Sequence, residues 1–209
     1  MDSHNQAEKF WDRIANNYDK EEKKDTQIYS HIFEKTRKYL KGSDVVLDYG
    51  CGTGLVSNEI AGNVKMVYAI DISSKMIEIA KNKATGREIQ NIDYAYSTIF
   101  NDRYKNGSFD VILAFYILHL SDDSQRVIQR VNDLLKPGGL FISATPCMGD
   151  KLILNKLLLM ASKVGIVPKI KSFKFPDLEG LMKKGNFEII ETECLHLSSR
   201  QYFIIAKKI

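Results

Sequence analysis

An α/β fold built on a mainly parallel sheet follows from three features of this 209-residue chain. Apolar runs alternate with stretches of helical periodicity. One run, "SFDVILAFY" over 108–116, is almost wholly apolar, as a central parallel strand buried on both faces must be. A turn with three glycines in five positions follows the first strand-like run, in "VVLDYGCGTGL" over 45–55.

The elements follow in order. A charged helical segment covers about 7–40. The first strand is "VVLDY", and a helix opens at the glycines and runs through "LVSNEIAG". "KMVYAID" is the second strand, ending at Asp71. "SSKMIEIAKNKAT" is a helix with Met76, Ile77 and Ala80 on one face and Ser73 or Ser74 as its cap. "IDYAYS" and "SFDVILAFY" are the third and fourth strands, and "SQRVIQRVNDLLK" is an amphipathic helix that stops before Pro137-Gly138-Gly139. "LFISATP" is the fifth strand. After an interruption come a helix over 176–185 and two closing strands, "FEIIETEC" and "QYFIIAKK".

Composition excludes several classes. A hydrophobic fraction of 44% and a charged fraction of 27% are those of a globular protein. A net charge of +4 is too small to argue for nucleic acid, and none is expected as a partner. Cys51, Cys147 and Cys194 have no metal-like spacing, which points to free thiols in a reducing cytoplasm and to no metal centre. No secretory signal and no run of membrane-spanning length is expected.

The glycine turn lets a backbone come close to a ligand and directs helix N–H groups at it. Asp71 stands 17 residues after Gly54, where a carboxylate accepts hydrogen bonds from two ribose hydroxyls. The dinucleotide pattern G-x-G-x-x-G is not met, because Gly50-Cys51-Gly52-Thr53-Gly54 is one residue short in its last gap. Asp48, two residues before Gly50, would repel a pyrophosphate and suit an ammonium or sulfonium. An NAD-dependent oxidoreductase is therefore disfavoured.

"VLDYGCGTG" resembles the first motif of class I S-adenosylmethionine-dependent methyltransferases, and "YAIDIS" resembles their acidic second-strand motif. "FDVILAFYILHL" and "LLKPGGLFISATP" resemble the fourth- and fifth-strand motifs, and "FWDRIANNYD" resembles the opening of the branch that contains quinone and sterol C-methyltransferases. The resemblance implies a Rossmann-like, doubly wound sheet of about seven strands, mostly parallel with the last antiparallel and with helices on both faces. It divides the chain into an N-terminal helical lid (1–42), a cofactor-binding core (43–147), an inserted substrate cap (148–175) and a closing helix with two strands (176–209). It implies that Asp48 and the backbone at Gly50, Cys51 and Gly52 hold the methionine part of S-adenosylmethionine. Asp71 would bind the ribose, with Ile72 and Met76 packing beside it. Ser97, Thr98 and Ile99 would meet the adenine, Phe115 would lie near the methionine end, and Tyr18 would fold over the cofactor. The family commonly has an acid where Thr98 stands, and a threonine accepts a hydrogen bond without charge, so weaker adenine selectivity is expected. Asp102 substitutes for that acid if the loop bends.

His119 and Tyr116 are the catalytic candidates, with His31 behind them. A base is needed only for a weakly acidic hydroxyl or carbon acceptor. Each has a plainer reading: His119 as a surface or capping histidine, Tyr116 as strand core, Asp48 as a helix cap. Trp11 and Tyr18, seven apart, share a helical face. Cys147 after Pro146 reads as an ordinary thiol. No Asn/Asp-Pro-Pro-aromatic segment follows the fourth strand, which argues against a nucleic-acid base as acceptor.

The segment 151–176 holds six lysines (151, 156, 163, 169, 171 and 174) and no acid, so the rest of the chain sums to −2. Its first half is rich in leucine. It reads either as a cap with its own packing core and a solvated lysine face, or as a pocket for an apolar or anionic amphiphilic substrate. Transient contact with a membrane surface is a third reading. The expected acceptor is a small molecule, and the expected assembly is a monomer or homodimer. A cofactor-binding protein without transfer activity and a methyltransferase for a carrier-protein-bound or macromolecular acceptor are the alternatives.

Overall fold

The computed structural model describes residues 3–22, 26–150, 160, 162, 167, 169–196 and 200–209. Two helices, α1 (Ser3–Glu22) and α2 (Thr26–Arg37), occupy the span expected to be one helical segment. Then follow β1 (Val45–Tyr49), α3 (Leu55–Ile60), β2 (Met66–Asp71), α4 (Ser74–Gly86), β3 (Ile92–Tyr96), β4 (Phe109–Phe115), α5 (Ser124–Leu134) and β5 (Leu135–Pro146). The described chain closes with α6 (Phe175–Lys184), β6 (Phe187–His196) and β7 (Gln201–Lys208). Most of the leucine-rich stretch, with Lys151, Lys156 and Lys163, lies outside the described residues.

The seven strands form one sheet in the order β3-β2-β1-β4-β5-β7-β6. β1 to β5 pair in parallel, and β7 lies antiparallel between β5 and β6. Successive residues of a strand face opposite sides, and the central strands are apolar at both. Leu47, Ile112, Phe141 and Ile204 pack under α5 and α6 with Ile128, Leu134, Leu178 and Met182. Val46, Leu113, Ile142 and Ile205 pack on the other face with Ile32, Ile60, Ile77 and Ala80.

Two boundaries differ from the expected ones for a local reason. Phe109 pairs with Leu135, but Val111 pairs with Leu140, so Lys136 to Gly139 bulge out of β5 rather than precede it. Gly138 supplies a left-handed φ of 73° there, and the Lys136 ammonium lies 2.8 Å from Asp110. The chain therefore turns extended at Leu135 (ψ 142°), and α5 ends at Leu134, short of the expected stop at Lys136. At α4 the cap is Ser73, whose hydroxyl accepts the Met76 N–H at 3.1 Å. Among the described residues no helix is long and apolar enough to cross a membrane.

Candidate active site

The C-terminal ends of β1, β2 and β4 meet where the strand order reverses, the usual ligand position in an open α/β sheet. Three connected spaces lie there. The first, about 410 Å³, is lined by Gly50, Gly52, Asp71, Ile72, Met76, Ser97, Thr98, Phe115 and Tyr18. A cleft of about 30 Å³ beside it is lined by Asp48, Cys51 and Thr53. The third, about 580 Å³, is lined by His119, Tyr29, Phe10, Ile14 and Gln201. Tyr18 and Tyr116 belong to all three.

The loop is shaped by its glycines. Gly50 has a φ of +77°, and a Cβ there would lie 2.9 Å from the Ile117 side chain. Gly52 has a φ of +53°, with the Tyr18 ring close above it. The expectation that the loop aims free N–H groups at a ligand needs correction. The N–H groups of Gly50 and Cys51 both donate to the Ile70 carbonyl, at 2.9 and 3.0 Å, and that of Gly54 donates to Cys51. The Gly52 N–H donates to Asp71 Oδ2 at 3.0 Å. The loop therefore presents shape and carboxylates, not a row of donors, and that suits a cation better than a phosphate.

Two acids dominate the electrostatics. Asp71 accepts from Gly52 and, through Oδ1, from the Ser73 N–H at 2.9 Å. Burial still pushes its carboxyl up to about 6. Asp48 accepts from the Ser57 hydroxyl at 2.5 Å. Burial, with Asp71 adding repulsion, pushes it also to about 6. Burial raises the Tyr49 hydroxyl to about 12 and the Cys51 thiol well above its ordinary range, so both stay neutral. A cationic ligand relieves the strain that two buried carboxylates impose.

Helix α1 is clasped to this site by acids that its sequence did not single out. Asp12 accepts from the Ser73 hydroxyl at 2.6 Å and from the Lys75 N–H at 3.3 Å, at the positive end of α4. Asp19 accepts from the Thr53 hydroxyl at 2.5 Å and pairs with Lys83. Lys83 also donates to the Thr53 carbonyl at 3.1 Å. Asp12 and Asp19 are seven apart, like Trp11 and Tyr18, so the helical period held the signal. The Asp12→Asn/Asp19→Asn double variant is expected to bind S-adenosylhomocysteine about tenfold more weakly, from one hydrogen bond of about 1 kcal/mol weakened at each clasp. Titration calorimetry checks this, and unchanged affinity would show that α1 is no lid.

Other expected residues take different places. Ile99 is fully buried in the core beside Tyr104 and Phe109, so its side chain does not face the first cavity, and Phe100 lines that wall instead. The chain alternates as it leaves β3, which shifts the exposed side by one residue. Phe100 is covered by the Arg126 guanidinium, 4.6 Å from the ring centre. Asp102 is exposed and outside the lining, so Thr98 has no acidic substitute there. His31 pairs with Glu193 at 2.9 Å, bracing α2 on β6 away from the cavities. Cys147 is buried and pushed up to about 12, an inert thiol.

Tyr116 follows β4 with a φ of +56°, a conformation costing a non-glycine residue about 1–3 kcal/mol. Its N–H is held by the Ala144 carbonyl at 2.8 Å, and its ring meets Tyr29 at 5.8 Å. His119 follows in a short turn, and its carbonyl accepts the Lys171 N–H. Burial pushes its imidazole down to about 4, so it is neutral near pH 7. Lys169 pairs with Asp122, Lys171 lies over Phe173, and Lys174 reaches Asp150.

The sequence profile of a methyltransferase domain matches residues 40–189. An uncharacterised protein of Methanocaldococcus jannaschii is 29% identical over 205 residues, covering 88% of this chain and 76% of its own. A ubiquinone biosynthesis O-methyltransferase of Coxiella burnetii is 33% identical over 130 residues, covering 62% of this chain and 55% of its own, so the chain spans about half the length of that relative. Among solved structures, an S-adenosylmethionine-dependent methyltransferase of Thermotoga maritima superposes with a TM-score of 0.72 at 20% identity, covering 97% of this chain and 100% of its own. The chain belongs to the methyltransferase domain family, as a class I enzyme whose cofactor is S-adenosylmethionine.

Proposed function

We propose that the protein methylates a small, largely apolar molecule held in the 580 Å³ cavity. One observation carries this reading. Trp11, Tyr18, Tyr116 and Leu120 line both that cavity and the one that ends at Asp71, so an acceptor and a cofactor meet across shared aromatic walls. When bound, S-adenosylmethionine supplies a methyl group on a sulfonium, already activated for direct displacement. Asp71 would hold the ribose, Asp48 the cationic methionine end, and Met76 and Phe100 the flanks of the base. The Tyr18 and Tyr116 rings offer faces to a sulfonium and exclude water from it. His119, neutral and half-buried, acts as a hydrogen-bond acceptor toward the acceptor's proton rather than as a strong base.

The apolar reading is favoured over the anionic amphiphile. Each described lysine of the insertion already faces an acid or a ring of the same chain. Val167 and Ile170, also from the insertion, line the cavity with apolar groups.

The test is incubation with methyl-labelled S-adenosylmethionine and a cell extract, followed by solvent partition. Label is expected in the solvent-extractable small-molecule fraction. Label confined to protein or nucleic acid, or cofactor bound without any transfer, would overturn the proposal.

A further inference from the structure

The large cavity mixes apolar walls with two uncharged polar side chains of opposite hydrogen-bonding character. Gln201 opens β7, where it pairs with Pro146 of β5 and His196 of β6. Its carboxamide oxygen accepts the Tyr116 hydroxyl at 2.8 Å. That leaves the amide nitrogen with two N–H donors, and among the described residues nothing accepts from them. His119 lines the same cavity; its Nδ1 is sealed from solvent without a partner among the described residues, so the other ring nitrogen is the one a guest in the cavity can meet. A guest that pairs with a polar group left without a protein partner gains about 0.5–1.5 kcal/mol over one that cannot. Among the described residues, the charged groups of the lining are Arg13 and Glu21, which lie on α1 and have partners of their own. Among the described residues, a net charge on the guest would meet only charged groups that already have partners.

We infer that the acceptor is an uncharged, flat molecule that carries a hydroxyl or amine proton and a carbonyl-type oxygen, with Gln201 donating to the oxygen and His119 accepting from the proton. Gln201 is then a specificity-determining residue, held in orientation by Tyr116. The strained backbone of Tyr116 places its hydroxyl between the cofactor side and Gln201. The inference rests on the reading of this cavity as the acceptor site and adds what the acceptor must look like.

The experiment uses three flat probes on the full chain saturated with S-adenosylhomocysteine: a hydroxyacetonaphthone with its groups on opposite rings, the matching naphthol and the matching acetonaphthone. The two-function probe is expected to bind at least about tenfold tighter than either single-function probe, one neutral hydrogen bond being worth about that factor. Gln201→Met should erase the gain from the ketone and leave naphthol affinity within about twofold. His119→Leu should do the reverse. Gln201→Glu keeps an acceptor for Tyr116 and removes the donors, so it should also lose the ketone gain even if the Met variant folds poorly. Binding of no probe, or equal loss for all three probes in either variant, overturns the inference. Titration of S-adenosylhomocysteine alone, with the probes repeated on the cofactor-free chain, separates the two readings: cofactor binding without the crossed pattern sinks this inference only, and the crossed pattern without cofactor binding sinks the transfer reading only.

Discussion

Asp71→Asn is expected to lower the affinity for S-adenosylhomocysteine by about a hundredfold. The carboxylate holds two backbone N–H groups, from Gly52 and Ser73, one on each oxygen. The side chain lines the 410 Å³ cavity. An asparagine matches only one of the two N–H groups and turns an NH₂ against the other. It also exchanges a charged acceptor for a neutral one. Hydrogen bonds to a charged group contribute about 1.5–3 kcal/mol, so losing one or two of them gives the stated factor. Calorimetric titration reads it, and the ribose assignment is checked with the deoxyribose analogue. That analogue should bind weakly to the unaltered protein and lose little more in the variant. An unchanged affinity in the variant would remove Asp71 from the cofactor site.

Asp48→Asn is expected to do two opposite things at pH 7.5: raise the stability of the empty protein by about 1–3 kcal/mol and lower cofactor affinity about tenfold or more. A carboxyl pushed from 3.8 to about 6 binds its proton more tightly folded than unfolded. Stability from this group is therefore present below 3.8, declines as pH rises, and is gone above about 6. The variant never ionises there, and it keeps an oxygen for the Ser57 hydroxyl. Its advantage should vanish near pH 4 and reach a plateau above pH 6. His119 works in the other direction, since a pKa lowered from 6.5 to about 4 makes its contribution appear as pH rises through that interval. The measurement is therefore the difference in thermal midpoint between variant and unaltered protein at each pH, in which His119 cancels. A variant that is less stable at pH 7.5, or a gain that ignores pH, would mean that Asp48 carries no burial cost.

Much of the frame was legible because it is written in local chemistry. The runs at 45–49 and 109–115 are apolar at every position but one, and Asp71 stands at the end of its strand. The bulge at Lys136–Gly139 was not legible, because Pro-Gly-Gly reads the same whether it ends a helix or interrupts a strand. Asp12 and Asp19 were missed because their partners, Ser73 and Thr53, are 61 and 34 residues away and only folding brings them together. Gln201 was missed for the same reason, lying 85 residues from Tyr116. Ile99 and Phe100 differ by one position, and alternation at a strand exit is decided by tertiary packing, not by residue type. The donors of the glycine loop were misjudged because the motif specifies backbone shape and is silent about where its N–H groups are spent.

That internal spending has a consequence for how the site meets its cofactor. With the amides of Gly50, Cys51, Gly52 and Gly54 satisfied by the protein itself, the loop has its binding shape before anything arrives. Little ordering entropy is charged to the encounter at this wall, so the affinity is set by the fit of a rigid mould and by the two buried acids that wait for a positive guest.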